Sequence, residues 1–477
     1  MIERARSPES LATFPRIRRG AWRERLSRGL AIAVLALAPL PFGSLHTAWI
    51  ACWTAVMALS LAIASVDSRA PATRIFLFGA AGIAALVMLV VAIQMTTGRL
   101  ADPIWQQASA LLDQPLPPIP SASRLQPVVA LGAMLLLVAT FSRFLLLAQD
   151  PATGRRMLAL TGYIGLAYAL FGAASFIFDP TSILGQPKTA YRSNLTGTFV
   201  NRNNAATFFG SITIIWLMLL ASAVRRAQRG QVGFRDWIWL LATGRLPRVA
   251  WRFTAFVICL GVTAATASRA GFILTILMLA LCLSLYVRPS RKRSRLLPLG
   301  AALLAVVLAG EFVGGSVGGR LHLLGFDDEG RFEVYAAGLD LLLSRPWLGI
   351  GLGNFPAVFP SVRPETVSMV GVWDRAHSSP LEIAIELGIP AFCLIALVWL
   401  GFLARLAWLA YRGREVATIA PFAVALFGTL HSFVDFPLQA PGYAVLFAAV
   451  VGIGLARQGP DATPPERTSS LREGRTA

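Results

Sequence analysis

The chain has 477 residues, of which 56% are hydrophobic and only 14% are charged, and its mean hydropathy is +0.63. A soluble protein of this size could not bury that much apolar surface, so the composition excludes a soluble globular protein and indicates an integral membrane protein. A net charge of +19 would suggest nucleic-acid binding in a soluble chain, but here the basic residues lie between apolar runs. Membrane topology and lipid headgroups explain that pattern better.

Twelve apolar runs along the chain approach or reach the length of about 17–25 residues that crosses a bilayer. They lie at 29–43, 46–66, 74–95, 127–148, 156–177, 204–224, 252–267, 271–287, 296–313, 381–403, 418–432 and 441–456. The pattern predicts an all-α polytopic membrane protein with about twelve transmembrane helices. Its membrane domain spans residues 29–456.

The distribution of basic residues predicts the orientation of those helices. If residues 1–28 are a basic cytoplasmic arm, the cytoplasmic segments hold 32 of the 43 lysines and arginines. This bias follows the positive-inside rule and places both termini in the cytoplasm, including a polar, disordered tail at 457–477. A cleaved signal peptide over residues 1–45 is the alternative. We reject it because loss of its apolar run would invert every later loop against the charge bias.

The predicted periplasmic loop 314–380 exceeds 60 residues and is therefore a candidate functional segment. Asp327 or Asp328 can cap a helix within it, and Pro346 would end that helix. Its apolar positions recur at helical spacing: Phe332, Tyr335, Leu339 and Leu342. Such a helix would lie on the membrane surface or over a cavity. The following stretch GIGLGNF lacks the strand and helix that flank a phosphate-binding loop, so we expect a tight turn.

His377 is one of only four histidines, and an apolar run follows it directly. The stretch from Ser379 to Glu382 has the pattern of a capping box, which predicts that a spanning helix begins just after His377 at the outer face. The helix dipole and nearby Arg375 disfavour the imidazolium form. The ring should therefore be neutral near pH 7, as a general base must be. The alternative is an interfacial histidine that is hydrogen-bonded to a loop.

Two arginines lie where an anion could bind. Arg269 stands in a short outer turn between two spans, where an arginine needs an anionic partner such as a lipid phosphate or a substrate phosphate. Arg331 stands at the start of the predicted loop helix, where the helix dipole disfavours a cation. A salt bridge to the adjacent acids is the simpler explanation for Arg331.

Five stretches carry a resemblance to a known family: GTFVNRNNAATFF, SRAG, GRFEVYAAGLDLLLSRPWLGIGLGNF, AHSSPLEIAIELGIPAF and LHSFVDFPLQAPGYAVLFAAVVG. In this order, with the long outer loop, they resemble the O-antigen ligase/polymerase superfamily over about residues 190–456. The first 180 residues match it only in hydropathy. The resemblance implies a glycosyltransferase of the bacterial inner membrane that uses undecaprenyl-diphosphate-linked glycan at the periplasmic face. The acceptor would be lipid A-core or another glycan, and neither a metal nor another cofactor is expected.

The resemblance also implies roles for particular residues. His377 matches the loop histidine that acts as general base, and Arg269 and Arg331 match arginines that hold the diphosphate. Four further residues fall in family motifs and are candidate substrate-binding residues: Asn201, Asn203, His431 and Asp435. Attack on the sugar from the face opposite the diphosphate would invert the anomeric carbon. We expect the two guanidinium groups within about 15 Å of each other, close enough to share one diphosphate.

Several alternatives stay open at this point. We favour a ligase, and a polymerase of O-antigen or exopolysaccharide with the same donor is the alternative within the family. A membrane transporter is the alternative of another class, although few ionisable residues lie within the spans, where transporters use them for coupling. His322 and His431 compete with His377 as the base. His322 shares the long loop, and His431 could instead make a structural hydrogen bond to Asp435.

Overall fold

The computed structural model describes residues 21–64, 71–98, 100–227, 246–287, 329–367 and 373–457. The helices within these ranges are α1 Ala21–Leu37, α2 Thr47–Ile63, α3 Pro71–Gln94, α4 Ile104–Leu112, α5 Gln126–Leu147, α6 Pro151–Phe178, α7 Arg202–Ala227, α8 Leu246–Ala265, α9 Arg269–Val287, α10 Glu329–Ser344, α11 Phe355–Val362, α12 Ser379–Leu387, α13 Ile389–Gly413, α14 Val416–Ser432 and α15 Pro441–Leu455. Two short strands, β1 Ser182–Ile183 and β2 Gln186–Pro187, pair antiparallel. The predicted all-α fold is confirmed.

Seven described helices are long and apolar enough to cross a membrane: α3, α5, α6, α7, α8, α9 and α13. Three shorter apolar helices, α2, α14 and α15, also match predicted runs. The first predicted run corresponds to α1, which ends at Leu37 because Pro39 and Pro41 follow and cannot continue a helix. The prediction of a polytopic membrane protein is therefore confirmed. The predicted run 296–313 and most of both terminal segments lie outside the described residues.

The predicted span 381–403 is wrong at its start, because two helices occupy this region. α12 ends at Leu387, and α13 begins at Ile389. Gly388 between them has φ +83°, and a Cβ there would lie 2.3 Å from the carbonyl oxygen of Trp347. Only glycine accepts both the left-handed backbone and that close approach. The spanning helix therefore starts twelve positions after His377, and the short α12 lies between them.

Small residues let the central helices approach closely, as is common between helices in membranes. A Cβ added to Gly452 of α15 would lie 2.6 Å from the carbonyl oxygen of Phe141 on α5. A Cβ on Gly210 of α7 would lie 2.4 Å from the hydroxyl of Thr275 on α9. The side chains around these contacts, including Trp216, are fully buried. α5, α7, α9 and α15 thus form a tightly packed scaffold.

Several helix ends meet at one end of the bundle, which we call the site end. Gln94 at the end of α3 donates to the carbonyl oxygens of Leu348 and Glu386, at 2.6 and 2.8 Å. Asn203 at the start of α7 contacts Asp435, just after α14. Gln94 thereby joins α3 to α12 and to the turn between α10 and α11. Helices α10, α11 and α12 therefore lie at this same end. The packed scaffold therefore fixes the positions of the polar loops.

Candidate functional site

Arg331 in the first turn of α10 contacts the segment after α14. Its Nη1 donates to the carbonyl oxygen of Val434 at 3.2 Å, and its Nη2 lies 4.0 Å from Oδ2 of Asp435. The side chain is 27% exposed, so the guanidinium group is held by this segment and still accessible from outside. α10 ends at Ser344, before Pro346 as the sequence predicts. Asp327 and Asp328, the predicted cap of this helix and the predicted acidic partners of Arg331, lie outside the described residues.

Asp435 is a buried carboxylate whose two oxygens both accept hydrogen bonds. Oδ1 accepts from the backbone N–H of Phe436 at 2.8 Å, and Oδ2 accepts from the side-chain amide of Asn203. The side chain is only 1% exposed. Both carboxylate oxygens are therefore occupied by donors from the protein. Asp435 holds a negative charge in place beside Arg331.

Asn201 and His431 make hydrogen bonds that support this segment. Oδ1 of Asn201 accepts from the backbone N–H of Asn203 at 2.7 Å, which satisfies a free donor at the start of α7. Nδ1 of His431 pairs with the hydroxyl of Thr207 at 2.6 Å. The predicted alternative bond from the His431 side chain to Asp435 is absent: only the backbone carbonyl of His431 accepts, from the Asp435 N–H at 3.0 Å.

Arg269 is the first residue of α9, and its side chain is exposed. It makes no hydrogen bond or ion pair with any other residue in the part of the chain that the structure describes. Two residues later, a Cβ on Gly271 would lie 3.3 Å from Cε1 of His431. The start of α9 and the start of α10 thus both contact the segment 431–435. We call Asn203, Arg269, Arg331, His377, His431 and Asp435 the site cluster.

His377 occupies a strained turn that faces the same segment. Its φ is +51°, a conformation that costs a non-glycine residue about 1–3 kcal/mol. Its carbonyl oxygen accepts from the Tyr335 hydroxyl at 2.9 Å. The imidazole lies between the rings of Trp373 and Phe436, with centroids at 5.3 and 5.2 Å. Nδ1 is buried and has no hydrogen-bond partner among the described residues. A buried polar atom without a partner is uncommon and is typical of functional sites.

Burial and the nearby Arg331 cation lower the pKa of His377 to about 4. The ring is therefore neutral near pH 7, as the sequence predicts. The predicted cause was wrong, because Arg375 is engaged in an ion pair with Glu382 at 3.1 Å and Arg331 is the cation that acts. A neutral imidazole beside an arginine can accept a proton while the arginine holds an anion.

The predicted capping box is also wrong. Ser378, not Ser379, is the N-cap of α12, and its side chain makes no capping hydrogen bond. Pro380, the second helical residue, has no N–H, so it removes one of the two donors that an N-cap side chain can use. Glu382 instead accepts from the backbone N–H of Ala376 at 2.7 Å and from Arg375.

The stretch GIGLGNF forms a tight turn, as predicted. Gly349, Gly351 and Gly353 all have positive φ, at 65°, 97° and 76°. A Cβ on Gly349 would lie 2.3 Å from the carbonyl oxygen of Ile385, so the turn packs directly on α12. The side chain of Asn354 fixes it further by donating to Ser121 Oγ at 2.8 Å. The turn therefore supports the helix that follows His377.

Helix α10 carries an exposed apolar surface. Of the apolar positions predicted at helical spacing, Phe332 and Leu339 are 69% and 50% exposed, whereas Leu342 is buried. Leu343 and Trp347 continue the exposed face at 68% and 67%. The stripe ends beside the start of α13, since the Ile389 N–H donates to the Pro346 carbonyl at 2.8 Å. An apolar surface thus runs from the membrane-spanning helix toward Arg331.

Sequence analysis missed Tyr335, Trp373 and Phe436 as neighbours of His377. Tyr335 was assigned only to an apolar helix face, although its hydroxyl bonds to a residue 42 positions away. The one sequence signal that could have indicated this contact was an aromatic residue, Phe436, next to Asp435 in a family motif. His322 lies outside the described residues. Within the described ranges, no group of three or more histidine, cysteine, aspartate or glutamate side chains could hold a metal ion.

Residues 254–396 match the model of a family described as O-antigen ligase. The match includes Arg269, Arg331 and His377, while Asn201, Asn203, His431 and Asp435 lie outside it. A search of the curated proteins finds no match to this chain. The resemblance to the O-antigen ligase/polymerase superfamily is therefore confirmed over this segment. It supports a membrane glycan transferase of that general type.

Proposed function

We propose that this O-antigen ligase-like chain moves a glycan from undecaprenyl diphosphate to lipid A-core at the periplasmic face of the bacterial inner membrane. One observation carries the proposal. His377, a neutral histidine with an unpaired Nδ1, and Arg331 both lie against the segment that follows α14. Arg269 adds a second, exposed cation near that segment. A base and two anion-binding groups are what glycan transfer from a diphosphate requires.

His377 acts as the general base in this proposal. The acceptor hydroxyl oxygen attacks the anomeric carbon and forms the new glycosidic bond while its proton passes to the imidazole. The bond from the anomeric carbon to the diphosphate oxygen breaks, and the diphosphate leaves with the bonding electron pair. Attack opposite the leaving group inverts the anomeric carbon. No acid is needed, because a diphosphate is already a stable leaving group once its charge is compensated.

Arg331 and Arg269 compensate that charge. A guanidinium group binds phosphate oxygens in pairs, and such contacts strengthen where water is partly excluded. Asp435, held by Asn203 and by the Phe436 N–H, keeps Arg331 at the segment after α14. Arg269 has no such tether and can move toward the diphosphate. We assign Asn201 and His431 to the support of this arrangement through their bonds to the Asn203 N–H and Thr207.

Donor binding would also adjust the basicity of His377. In the protein alone, Arg331 and burial lower the pKa of His377 to about 4, which makes the ring a weak base. A bound diphosphate offsets the arginine charge and adds negative charge nearby, so it raises the pKa of His377. The base thus becomes stronger when the donor is present, and the proton is taken up in the complex.

The exposed stripe on α10 supports a lipid-linked donor. Phe332, Leu339, Leu343 and Trp347 form an apolar surface that begins beside α13 and leads to Arg331. A polyprenyl chain, or the outer leaflet around it, can cover this surface while the diphosphate reaches the arginine. The apolar area removed from water would favour binding of the lipid part of the donor.

The charge distribution supports an orientation of the site end toward the periplasm. Arg225, Arg226 and Arg412 lie in the last turns of α7 and α13, at the opposite end of the bundle. Basic residues mark the cytoplasmic side. Reporter fusions after Arg295 should report a cytoplasmic location, and fusions within 320–370 a periplasmic one. Reversed reports would overturn both the topology and the location of the site.

A transfer assay in proteoliposomes tests the proposed function. Purified protein is supplied with undecaprenyl-diphosphate-linked glycan and lipid A-core, and NMR of the product gives the anomeric configuration. Inverted glycan on lipid A-core supports the proposal. Elongation of the donor glycan would make the chain a polymerase with the same donor. Movement of the donor across the bilayer without a new bond would make it a transporter and overturn the proposal.

A further inference from the structure

We infer that Glu382 is a positioning residue, which fixes the backbone that carries His377 through its bonds to Ala376 and Arg375. The inference deepens the transfer proposed above and rests on it. The carboxylate is fully buried. Its Oε2 accepts from the Ala376 N–H at 2.7 Å, and its Oε1 accepts from Arg375 Nη1 at 3.1 Å. One side chain thus binds the two residues that directly precede His377.

The position of the imidazole depends on this backbone, because no hydrogen bond to Nδ1 orients the ring. The ring is bounded by two aromatic neighbours, which limit its rotation but do not direct a nitrogen. The backbone of His377 is held on both sides instead. Glu382 binds the preceding Ala376 N–H, and the Tyr335 hydroxyl binds the His377 carbonyl at 2.9 Å. These two bonds maintain the left-handed φ of +51° at His377.

A carboxylate of this length suits the role. Burial raises the pKa of Glu382, whereas Arg375 and the Ala376 N–H oppose that shift because they favour the charged form. Bonds to a charged acceptor are stronger than bonds between neutral groups, so a carboxylate holds the Ala376 N–H more firmly than an amide would. Arg375 compensates the buried charge that this requires. Aspartate is one methylene shorter, and its carboxylate would not reach both partners from α12. Glutamine keeps one acceptor but leaves Arg375 without its counterion.

Glu386 provides a matched control on the same helix. It is 5% exposed, and its Oε1 accepts from the Phe355 N–H at 3.1 Å, so it supports the tight turn rather than the His377 backbone. Burial and the neighbouring Glu382 carboxylate raise the pKa of Glu386, which favours its neutral form. Glu386→Gln introduces a neutral group of similar shape that can still accept from the Phe355 N–H, so it should preserve the turn.

The first test compares Glu382→Gln, Glu382→Asp and Glu386→Gln in the proteoliposome transfer assay, per amount of folded protein. A displacement of about 1 Å at a catalytic group can cost about 10²-fold in rate. We expect Glu382→Gln and Glu382→Asp to lower kcat by about this factor and to leave the donor KM within about two-fold. Glu386→Gln should keep kcat within about three-fold. The double variant Arg375→Gln/Glu382→Gln should be faster than Glu382→Gln, because it removes the uncompensated cation.

The second test is independent of activity. Hydrogen–deuterium exchange of the full chain in nanodiscs reports on the amide of Ala376, which should be protected in the wild type and exchange faster in either Glu382 variant. Glu386→Gln should retain the wild-type exchange rate at Ala376. If Glu382→Gln does not accumulate in folded form, Glu382→Asp carries both tests.

The outcomes separate this inference from the proposed function. Normal kcat and unchanged Ala376 exchange in the Glu382 variants, with an inactive His377→Ala, would overturn the positioning role and leave the transfer intact. A raised donor KM with normal kcat would also overturn it, because Glu382 would then act in binding. A wild-type protein that transfers nothing would overturn the proposed function, and the exchange measurement would still decide whether Glu382 holds the backbone.

Discussion

Two histidines of the site cluster lie in contrasting surroundings. His431 sits in the last turn of α14, is 1% exposed, and has its Nδ1 paired with the Thr207 hydroxyl at 2.6 Å. His377 sits in a turn with φ +51°, is partly exposed, and has an unpaired Nδ1. A satisfied, regular histidine serves packing, whereas strain and an unpaired polar atom are typical of functional sites. The contrast supports the proposal that His377 takes part in the chemistry and that His431 supports the segment around it.

The two arginines differ in a similar way. Arg331 is held by the Val434 carbonyl and lies near Asp435. The Arg269 side chain is exposed and makes no hydrogen bond or ion pair with another described residue. A held cation gives the diphosphate a fixed binding point. An untethered cation can close on the donor once it is bound. We therefore expect both to be needed, although only Arg331 also affects the basicity of His377.

The largest expected loss among arginine variants comes from removal of either site arginine. Arg331→Gln or Arg269→Gln should lower transfer by about 10²–10³, the range for loss of one group that stabilises developing charge. The measurement is initial rate at saturating acceptor and varied donor. Arg345→Gln is the matched control, because Arg345 lies just after α10 but pairs with Asp102 at 3.0 Å, away from the cluster.

That prediction fails if Arg269→Gln transfers glycan at the wild-type rate. The exposed arginine would then be a lipid-headgroup anchor, and Arg331 alone would hold the diphosphate. An Arg345→Gln loss as large as that of Arg331→Gln would show that the variants act through the stability of α10.

A smaller loss of transfer should follow from a change of Asp435, which lies beside Arg331. Asp435→Asn keeps an oxygen for the Phe436 N–H but removes the negative charge, so Arg331 loses part of its orientation. We expect transfer to fall by no more than about ten-fold, because an ion pair of a partly exposed arginine contributes about 1 kcal/mol or less. The donor KM should rise more than kcat falls. An unchanged KM would indicate that Asp435 does not act through Arg331.

The pH dependence of transfer tests whether the base that titrates lies beside Arg331. The protonated ring of His377 cannot accept a proton, so kcat/KM should be flat at neutral pH and fall as the pH drops through about 4. The limb for kcat should lie at higher pH, because the bound diphosphate raises the pKa of His377. Arg331→Gln removes the nearby cation, which raises the same pKa and moves the kcat/KM limb upward. A limb that does not respond to Arg331→Gln would exclude His377 as the titrating base.

The smallest expected effect on the chemistry comes from the packed scaffold. Gly452→Ala places a Cβ 2.6 Å from the Phe141 carbonyl oxygen and should lower stability by about 1–3 kcal/mol, as overpacking does. Thermal unfolding in detergent should show this loss, while the folded fraction keeps the wild-type transfer rate. Gly401→Ala on α13, with no atom within 4 Å of the added Cβ, is the control. A lower rate in folded Gly452→Ala would show that the scaffold affects the site directly.

Local patterns predicted the parts of this molecule that local forces determine. The helix α10 and its end before Pro346 followed from apolar spacing and proline, and the tight turn followed from its glycines. The break at Gly388 did not, because a continuous apolar run gives no sign of a kink that is forced by contact with Trp347. The bond from Asn203 to Asp435 joins residues 232 positions apart, beyond any local pattern.

Glu382 shows another limit of prediction from sequence. The sequence placed it correctly near the start of a helix but assigned it to a capping box with Ser379. Its real partners, Arg375 and Ala376, became visible only when the chain reversal at His377 was known. The resemblance to the family supplied the candidate base and arginines, while the structure supplied the reasons that His377 differs from His431.

The most direct measurement is the single-turnover transfer rate of His377→Gln beside that of His431→Gln, with donor bound in advance. Glutamine can replace a hydrogen bond but cannot take the proton. We predict that His377→Gln slows transfer by about 10²–10⁴, the share of a general base, with donor affinity preserved. His431→Gln, which can keep the bond to Thr207, should lose less than about ten-fold. Near-normal transfer by His377→Gln, or a larger loss in His431→Gln, would contradict the assignment of His377 as the base.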